Sequence, residues 1–199
     1  MMVVDPDWTR QDLINLLEAN EWQAADRVTQ ALLLGAVDQS ARTSGWANGL
    51  LLRPLKQGGY LTPAALAQLP CDLLHDLDYL WVRASRGQFG FSVQEGLYRQ
   101  LNHGFDSTQL SPVNPHPFFQ AVGWLMVTNP RPLAFFKFYD FLNFSLTAPP
   151  GHLPALWYWQ LSWLESLRVG GFGSGQGGGF GDLARLDALM LRLGRCGQV

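Results

Sequence analysis

Between Phe105 and Glu165 the chain places 14 aromatic rings in 61 residues and only five charges, at Asp106, Arg131, Lys137, Asp140 and Glu165. Such a segment is not a solvated helix face or an open loop. Its ring surface must leave water, either into a core or onto the wall of an apolar hollow that holds a flat ligand. The sequence leaves both destinations open. The longest uncharged stretch, Phe141 to Leu164, has the length of a membrane span, but Pro149, Pro150, Gly151 and Pro154 interrupt it, which excludes a transmembrane helix. Loose peripheral contact of exposed rings with a membrane surface is compatible with this composition.

The remaining composition narrows the class. With 14 Lys+Arg against 16 Asp+Glu, a formal net charge of −2 and 47% hydrophobic residues, the chain is not disordered and lacks the basic footprint of a nucleic-acid binder. Its 199 residues suit one domain, 1–199, with a sizeable core. Cys71 and Cys196 lie far apart and share no metal-like spacing, so the expectation is two reduced thiols, no disulfide framework and a cytoplasmic setting. The opening MMVVDPDWTR has neither the pattern of a secretory signal nor that of a transit peptide.

Helical periodicity dominates, with no convincing strand pair, so the expected fold class is all-α. Leu13, Leu16 and Leu17, then Trp22, Ala25, Thr29, Leu32 and Leu33, predict a helical hairpin closed at Glu21. Gln39 to Thr62 reads as mostly loop, with a short helix near Trp46. Pro70 at a helix start, followed by Leu73, Leu74, Leu77, Leu80 and Trp81, predicts a helix to about Ala84. Ser92 with Glu95 resembles a capping box and predicts a helix from Val93. Ser107 to Pro117 reads as a loop. Two helices are expected over Phe118–Val127 and Pro132–Phe144, and another over Pro154–Arg168 with Trp159 and Trp163 sharing a face. A flexible Gly-rich loop, Gly170 to Gly181, carries Phe172 and Phe180 before a last helix over Asp182–Leu193.

Few patterns carry chemistry. Gly173, Gly175 and Gly178 match GxGxxG but lack the preceding strand and following acid of a dinucleotide site. His75, His103, His116 and His152 show no ligand spacing, so no metal site is expected. Asp72, Asp76 and Asp78 on one helix read as solvent-facing and dipole-compensating. No Ser, Cys or Lys stands beside an evident base, so no catalytic residues are assigned and an enzyme is not expected. Arg185 and Arg192, seven apart on one helix edge, suit either a solvated face or the rim of a binding site.

Leu77 to Tyr98, LDYLWVRASRGQFGFSVQEGLY, resembles the signature of the genomes-uncoupled tetrapyrrole-binding family, the porphyrin-binding accessory proteins of magnesium chelatase. Asp78, Leu80 and Trp81 carry it, with Phe89-Gly90-Phe91-Ser92-Val93-Gln94. Trp22, Ala25, Asp26 and Thr29, then Val122-Gly123-Trp124, then the Ala148 to Pro154 turn agree in the same order. The resemblance implies a single compact helical domain with a cupped apolar face that takes protoporphyrin IX or Mg-protoporphyrin IX. It also implies a non-enzymatic regulator of chlorophyll biosynthesis that works with the large porphyrin-binding subunit of magnesium chelatase. The extra helical domain of some family members is not expected in front of Trp8. Phe89, Phe91 and Val93 match the motif that contributes to the hollow. Trp159, Trp163, Phe172 and Phe180 are the expected mobile wall, and Arg86, Arg185 and Arg192 the expected rim cations for the ligand's propionates. A divergent relative would bind a bilin or haem instead, or act as a pigment-free interaction module through exposed Trp159 and Trp163.

Overall fold

The structure, a computed structural model, describes residues 8–43, 56–57, 60–103, 115–127, 134–159 and 183–197. Helices dominate. Helix α1, Arg10–Glu18, starts at Thr9, whose hydroxyl accepts the Asp12 N–H at 3.3 Å while the Thr9 N–H donates to the Asp12 carboxylate at 2.8 Å. Asn20 then takes the left-handed conformation, φ 59°, and turns the chain into α2, Trp22–Thr43. This is the expected hairpin, and α2 runs five residues, Gln39 to Thr43, into what reads as loop. The two helices bury Leu13, Leu17, Trp22, Ala25, Val28 and Leu33 between them and the rest of the core.

The pair β1, Lys56–Gln57, and β2, Tyr60–Leu61, is antiparallel and leads to the short α3, Pro63–Leu66. Helix α4, Cys71–Ala84, matches the expected span and buries Leu74, Leu77, Leu80 and Trp81. The Trp81 indole N–H donates to Thr29 Oγ1 at 2.9 Å, fixing α4 against α2. Its three acids are not one solvated group. Asp76 receives a two-pronged bond from Arg10, at 2.5 and 2.7 Å, which holds its carboxyl below the usual range.

Asp78 has a different task. Helix α5, Phe91–Asn102, begins two residues before the expected Val93, with Gly90 and not Ser92 at its cap. Gly90 sits at φ 139°, and a Cβ there would meet Val82 Cγ2 at 2.6 Å and Asp78 Oδ1 at 2.7 Å. No side chain fits at the cap itself, so the neighbouring helix supplies one: Asp78 Oδ1 accepts the Ser92 N–H at 2.8 Å.

The aromatic segment departs most from expectation. In place of helices over 118–127 and 132–144 stand a five-residue α6, Pro117–Ala121, an antiparallel pair β3, Leu125–Val127, and β4, Ala134–Phe136, and a 3-10 turn at Tyr139–Phe141. Aromatic and β-branched side chains favour a pleated, half-buried strand, and here Leu125, Ala134 and Phe136 face the core while Met126 and Val127 are exposed. Residues 154–159 form turns, not the start of the expected helix. Helix α7, Leu183–Cys196, lies against α3, α4 and α5 and buries Leu186, Leu189 and Met190. Cys71 and Cys196 are joined in a disulfide, so the expectation of two free thiols is corrected: the fold brings their Cα atoms to 5.3 Å across 125 residues. The fold class is all-α, with sheet limited among the described residues to these two small ladders. Trp46, the remainder of the loop after α2 and the Gly170 to Gly181 segment lie outside the described residues.

Candidate functional site

Three of the four motif segments converge on the fourth, the turn at residues 148–156. From the α4–α5 junction, the Gln88 side-chain amide donates to the Ala148 carbonyl at 2.6 Å, and the Gly151 N–H donates to the Gln88 carbonyl at 2.9 Å. From α5, the fully buried Gln94 donates through one Nε2 to both the Gly151 and Pro154 carbonyls, at 2.9 and 2.7 Å. From the segment between α6 and β3, the Trp124 indole N–H donates to the His152 carbonyl at 2.9 Å. Gly123, at φ 73°, approaches Pro149 so closely that a Cβ would stand 2.9 Å from its ring.

From α2, Asp26 closes the set. Its buried carboxylate accepts the Ala155 and Leu156 N–H groups at 3.0 to 3.2 Å and the Tyr139 hydroxyl at 3.1 Å. Burial pushes this carboxyl up to about 7, although those donors favour its charged form. The Tyr139 hydroxyl is raised well above its ordinary value, chiefly by burial and then by the Asp26 charge. His152 is held below its ordinary value by burial. The Asn143 N–H donates to His152 Nε2 at 3.1 Å, so the ring proton of the neutral form sits on Nδ1 and is donated to the Val122 carbonyl at 2.5 Å.

Beside the turn lies a continuous layer of rings. Trp124 stands at its centre, 4.9 Å from Trp159, 5.3 Å from Tyr158, 5.7 Å from Phe118 and 5.9 Å from Trp157, centroid to centroid. Edge-on and tilted contacts of this kind add to the burial of apolar area. The Trp157 N–H is taken by the Pro154 carbonyl and the Trp159 N–H by the Lys137 carbonyl. Rings with buried faces and internally satisfied polar tips are core. The described part of the aromatic segment is therefore mostly interior.

That result fixes the positions of the expected site residues. Phe89 and Phe91 are fully buried, and Phe89 packs on Trp22 and Trp81 at 5.5 and 6.4 Å. Val93 is half-buried on α5. Trp159 is buried, so it is not an exposed docking ring. Arg185 is no solvated cation: its guanidinium donates to the Trp157 and Tyr158 carbonyls and lies 5.8 Å over the Tyr158 ring. Arg192, half-buried, donates to the Leu69 carbonyl at 2.7 Å. Arg86 alone of the three arginines is exposed, at φ 57° in the turn after α4. Trp163, Phe172 and Phe180 lie outside the described residues.

Sequence reasoning missed Asp26 and Gln94 as site-building residues. The available signal was polarity on an apolar face, since Asp26 follows Trp22 and Ala25 on the buried side of α2. It also missed the apolar surface of the β3–β4 hairpin. Met126 and Phe135 are cross-strand partners on one face, with Met126 45% exposed, while Val127 is 49% exposed at the strand end. Phe141, 72% exposed, packs edge-on against Phe138 at 5.9 Å. A concavity of about 220 Å³ lies between α5 and α7, lined by Tyr98, Arg99, Met190, Leu191 and Arg195 among others. It falls below the roughly 300–1,000 Å³ typical of sites for drug-sized ligands. Among the described residues no three His, Cys, Asp or Glu side chains converge as metal ligands, and no helix is long and apolar enough to cross a membrane.

This architecture has counterparts among known proteins. The ligand-free structure of GUN4 from Arabidopsis thaliana aligns over 90% of this chain and 89% of its own, with a TM-score of 0.55 at 20% identity. The structure of GUN4 from Chlamydomonas reinhardtii aligns over 78% and 85%, with a TM-score of 0.50 at 23% identity. Both likenesses are of fold. In sequence, the ycf53 protein of Porphyra purpurea is 29% identical over 146 residues, 72% of this chain and 48% of its own length. The ycf53 protein of Cyanidium caldarium is 25% identical over 144 residues, 72% and 49% respectively. This chain thus spans about half the length of the curated relatives it matches. A model of the GUN4-like family matches residues 6–169, a span that includes every segment meeting at the 148–156 turn, and on that match the chain belongs to the GUN4-like family.

Proposed function

We propose that this chain binds a tetrapyrrole, protoporphyrin IX or Mg-protoporphyrin IX, and regulates magnesium chelatase without catalysis of its own. The observation that carries the reading is the family match over residues 6–169. Surface chemistry supports it. A porphyrin is a broad apolar disc with two carboxylates on one edge, so its receptor needs exposed apolar side chains on a rigid support and cations beyond the disc. The β3–β4 hairpin offers Met126 and the half-buried Phe135, backed by the buried ring layer around Trp124. Arg86 is an exposed cation that can meet a propionate. Phe89, Phe91, Gln94, Asp26 and Arg185 act through the fold, as positioning residues for the 148–159 segment. A magnesium ion in the ligand is held by the macrocycle's own nitrogens.

Titration with Mg-protoporphyrin IX, read by quenching of tryptophan fluorescence, should saturate near one ligand per chain. Quenching that never saturates at micromolar ligand overturns the binding reading. The regulatory role is tested separately: the chain added to reconstituted magnesium chelatase should raise the rate of magnesium insertion, and an unchanged rate removes that part. Parallel titrations with haem and a bilin decide the ligand class.

A further inference from the structure

We infer that Cys71 and Cys196 form a reversible thiol–disulfide exchange site, opened by a dithiol reductant, whose state sets how firmly the last turn of α7 is clamped to α4. The inference does not depend on what the chain binds. Cys71 is the first residue of α4 and Cys196 the last of α7, and their bond closes 125 residues of chain. The two sulfurs are unlike in access. Cys71 is half-buried at the surface, whereas Cys196 is 1% exposed. Of the two, Cys71 is the residue that an incoming thiolate can approach from solvent.

The start of α4 suits the chemistry. Pro70 stands at its cap with no side-chain hydrogen bond, and Cys71 is the first residue of the helix, where the dipole favours negative charge. Such a helix end stabilises the Cys71 thiolate, the group released in the second step of the exchange, partly offset here by the exposed Asp72. In the exchange, a thiolate of the reductant bonds to Cys71 Sγ and the Cys196 thiolate leaves. The second thiol of the reductant then attacks the mixed disulfide and releases the Cys71 thiolate. Two electrons pass to the protein, the reductant becomes a disulfide, and its two thiol protons end on Cys71 and Cys196.

The consequence is local because α7 has other anchors, and the hydrogen-bonded ones precede its last turn. Arg185 holds the Trp157 and Tyr158 carbonyls, the Tyr98 hydroxyl donates to Asp187 at 2.7 Å, Leu186, Leu189 and Met190 are in the core, and Arg192 holds the Leu69 carbonyl. Beyond Arg192, among the described residues, the helix is secured by packing of the half-buried Leu193 and Gly194 and by the buried, disulfide-bonded Cys196. Gly194 and Arg195 in this last turn form one wall of the concavity between α5 and α7, so opening the bridge loosens that wall while the helix stays docked.

The experiment uses the full chain, equilibrated with oxidised or reduced dithiothreitol without denaturant. Thiols are counted by alkylation and mass, and amide hydrogen exchange is followed along α7. The oxidised protein should show no free thiol, and reduction should free two. Far-UV circular dichroism should stay unchanged, exchange at residues 193–196 should rise about tenfold or more, and exchange at 186–190 should change by less than roughly twofold. Cys196→Ser should reproduce the exchange pattern of the reduced protein under oxidising conditions. Four results overturn the inference: free thiols in the oxidised sample, a bridge that opens only in denaturant, exchange that reduction leaves unchanged, or loss of the whole fold on reduction.

Discussion

The Asp26 carboxylate, on the second helix, receives the backbone N–H groups of both Ala155 and Leu156, 129 and 130 residues further along the chain. A buried acid thus closes the turn that the family's motif segments build.

That placement makes stability depend on pH with a definite sign. The folded-state value of Asp26, about 7, lies above its ordinary 3.8, so the folded protein binds the proton more tightly than the unfolded one. Its contribution is present in full below about pH 4 and is lost as pH rises through 7. His152 works the other way: burial depresses it, so its contribution is present above its ordinary 6.5 and is lost as pH falls. Urea midpoints of the wild-type chain and Asp26→Asn, compared from pH 5 to 8, should show the wild type falling relative to the variant as pH rises, because only the wild type loses the Asp26 contribution. Parallel curves would reject the assignment.

Gln94→Leu keeps the volume of the side chain but removes the Gln94 donor from the Gly151 carbonyl, and leaves the Pro154 carbonyl with the Trp157 indole N–H. A buried acceptor stranded in this way costs about 1–3 kcal/mol. A lower urea midpoint with an unchanged m-value is expected, and a midpoint within error of wild type would show that water replaces the amide.

Two glycines of the α4–α5 region make a controlled pair. Gly90→Ala forces a methyl group into Val82 and Asp78 at a φ of 139° and should cost about 3 kcal/mol or more. Gly96→Ala, in the interior of α5 with nothing within 4 Å, should stabilise by about 0.5–1 kcal/mol. Thermal unfolding of both variants checks the contrast.

Met126→Asp places a charge on the exposed face of the β3–β4 hairpin. Because Met126 is 45% exposed, the fold should tolerate the change, with a stability loss within about 0.5 kcal/mol. Affinity for Mg-protoporphyrin IX should fall about tenfold or more, roughly 1.4 kcal/mol. An unchanged affinity would move the ligand away from this face.

How much of this was legible in the sequence depended on whether apolar residues alternated with polar ones. In α1, α2, α4, α5 and α7 they do, and spacing alone located those helices to within a few residues. From Phe118 to Phe144 nearly every position is apolar, so the pattern has no phase, and a strand cannot be told from a helix. The density of rings and the Asn-Pro-Arg-Pro break were the better guides to the hairpin. The Asp78 cap on α5 and the Asp26 bonds to the 155–156 backbone are invisible for another reason. Each joins a side chain to backbone in a different element, and spacing says nothing about such pairs. Arg185 was misread because an arginine on a helix edge is usually solvated, and nothing near it in sequence announces the Trp157 and Tyr158 carbonyls. The Cys71–Cys196 bond escaped because two cysteines 125 residues apart carry no information about their distance in space.

The 148–156 turn also orders events during synthesis. Its partners stand at Asp26, at Gln88 and Gln94, and at Trp124, so the set is not complete until the chain has grown past Leu156. Contacts that span so much sequence form slowly and together. A nascent chain halted at residue 150 would hold an apolar ring cluster whose buried acid has the Tyr139 hydroxyl but lacks both backbone donors, which makes the emergence of one short turn the moment at which the domain can close.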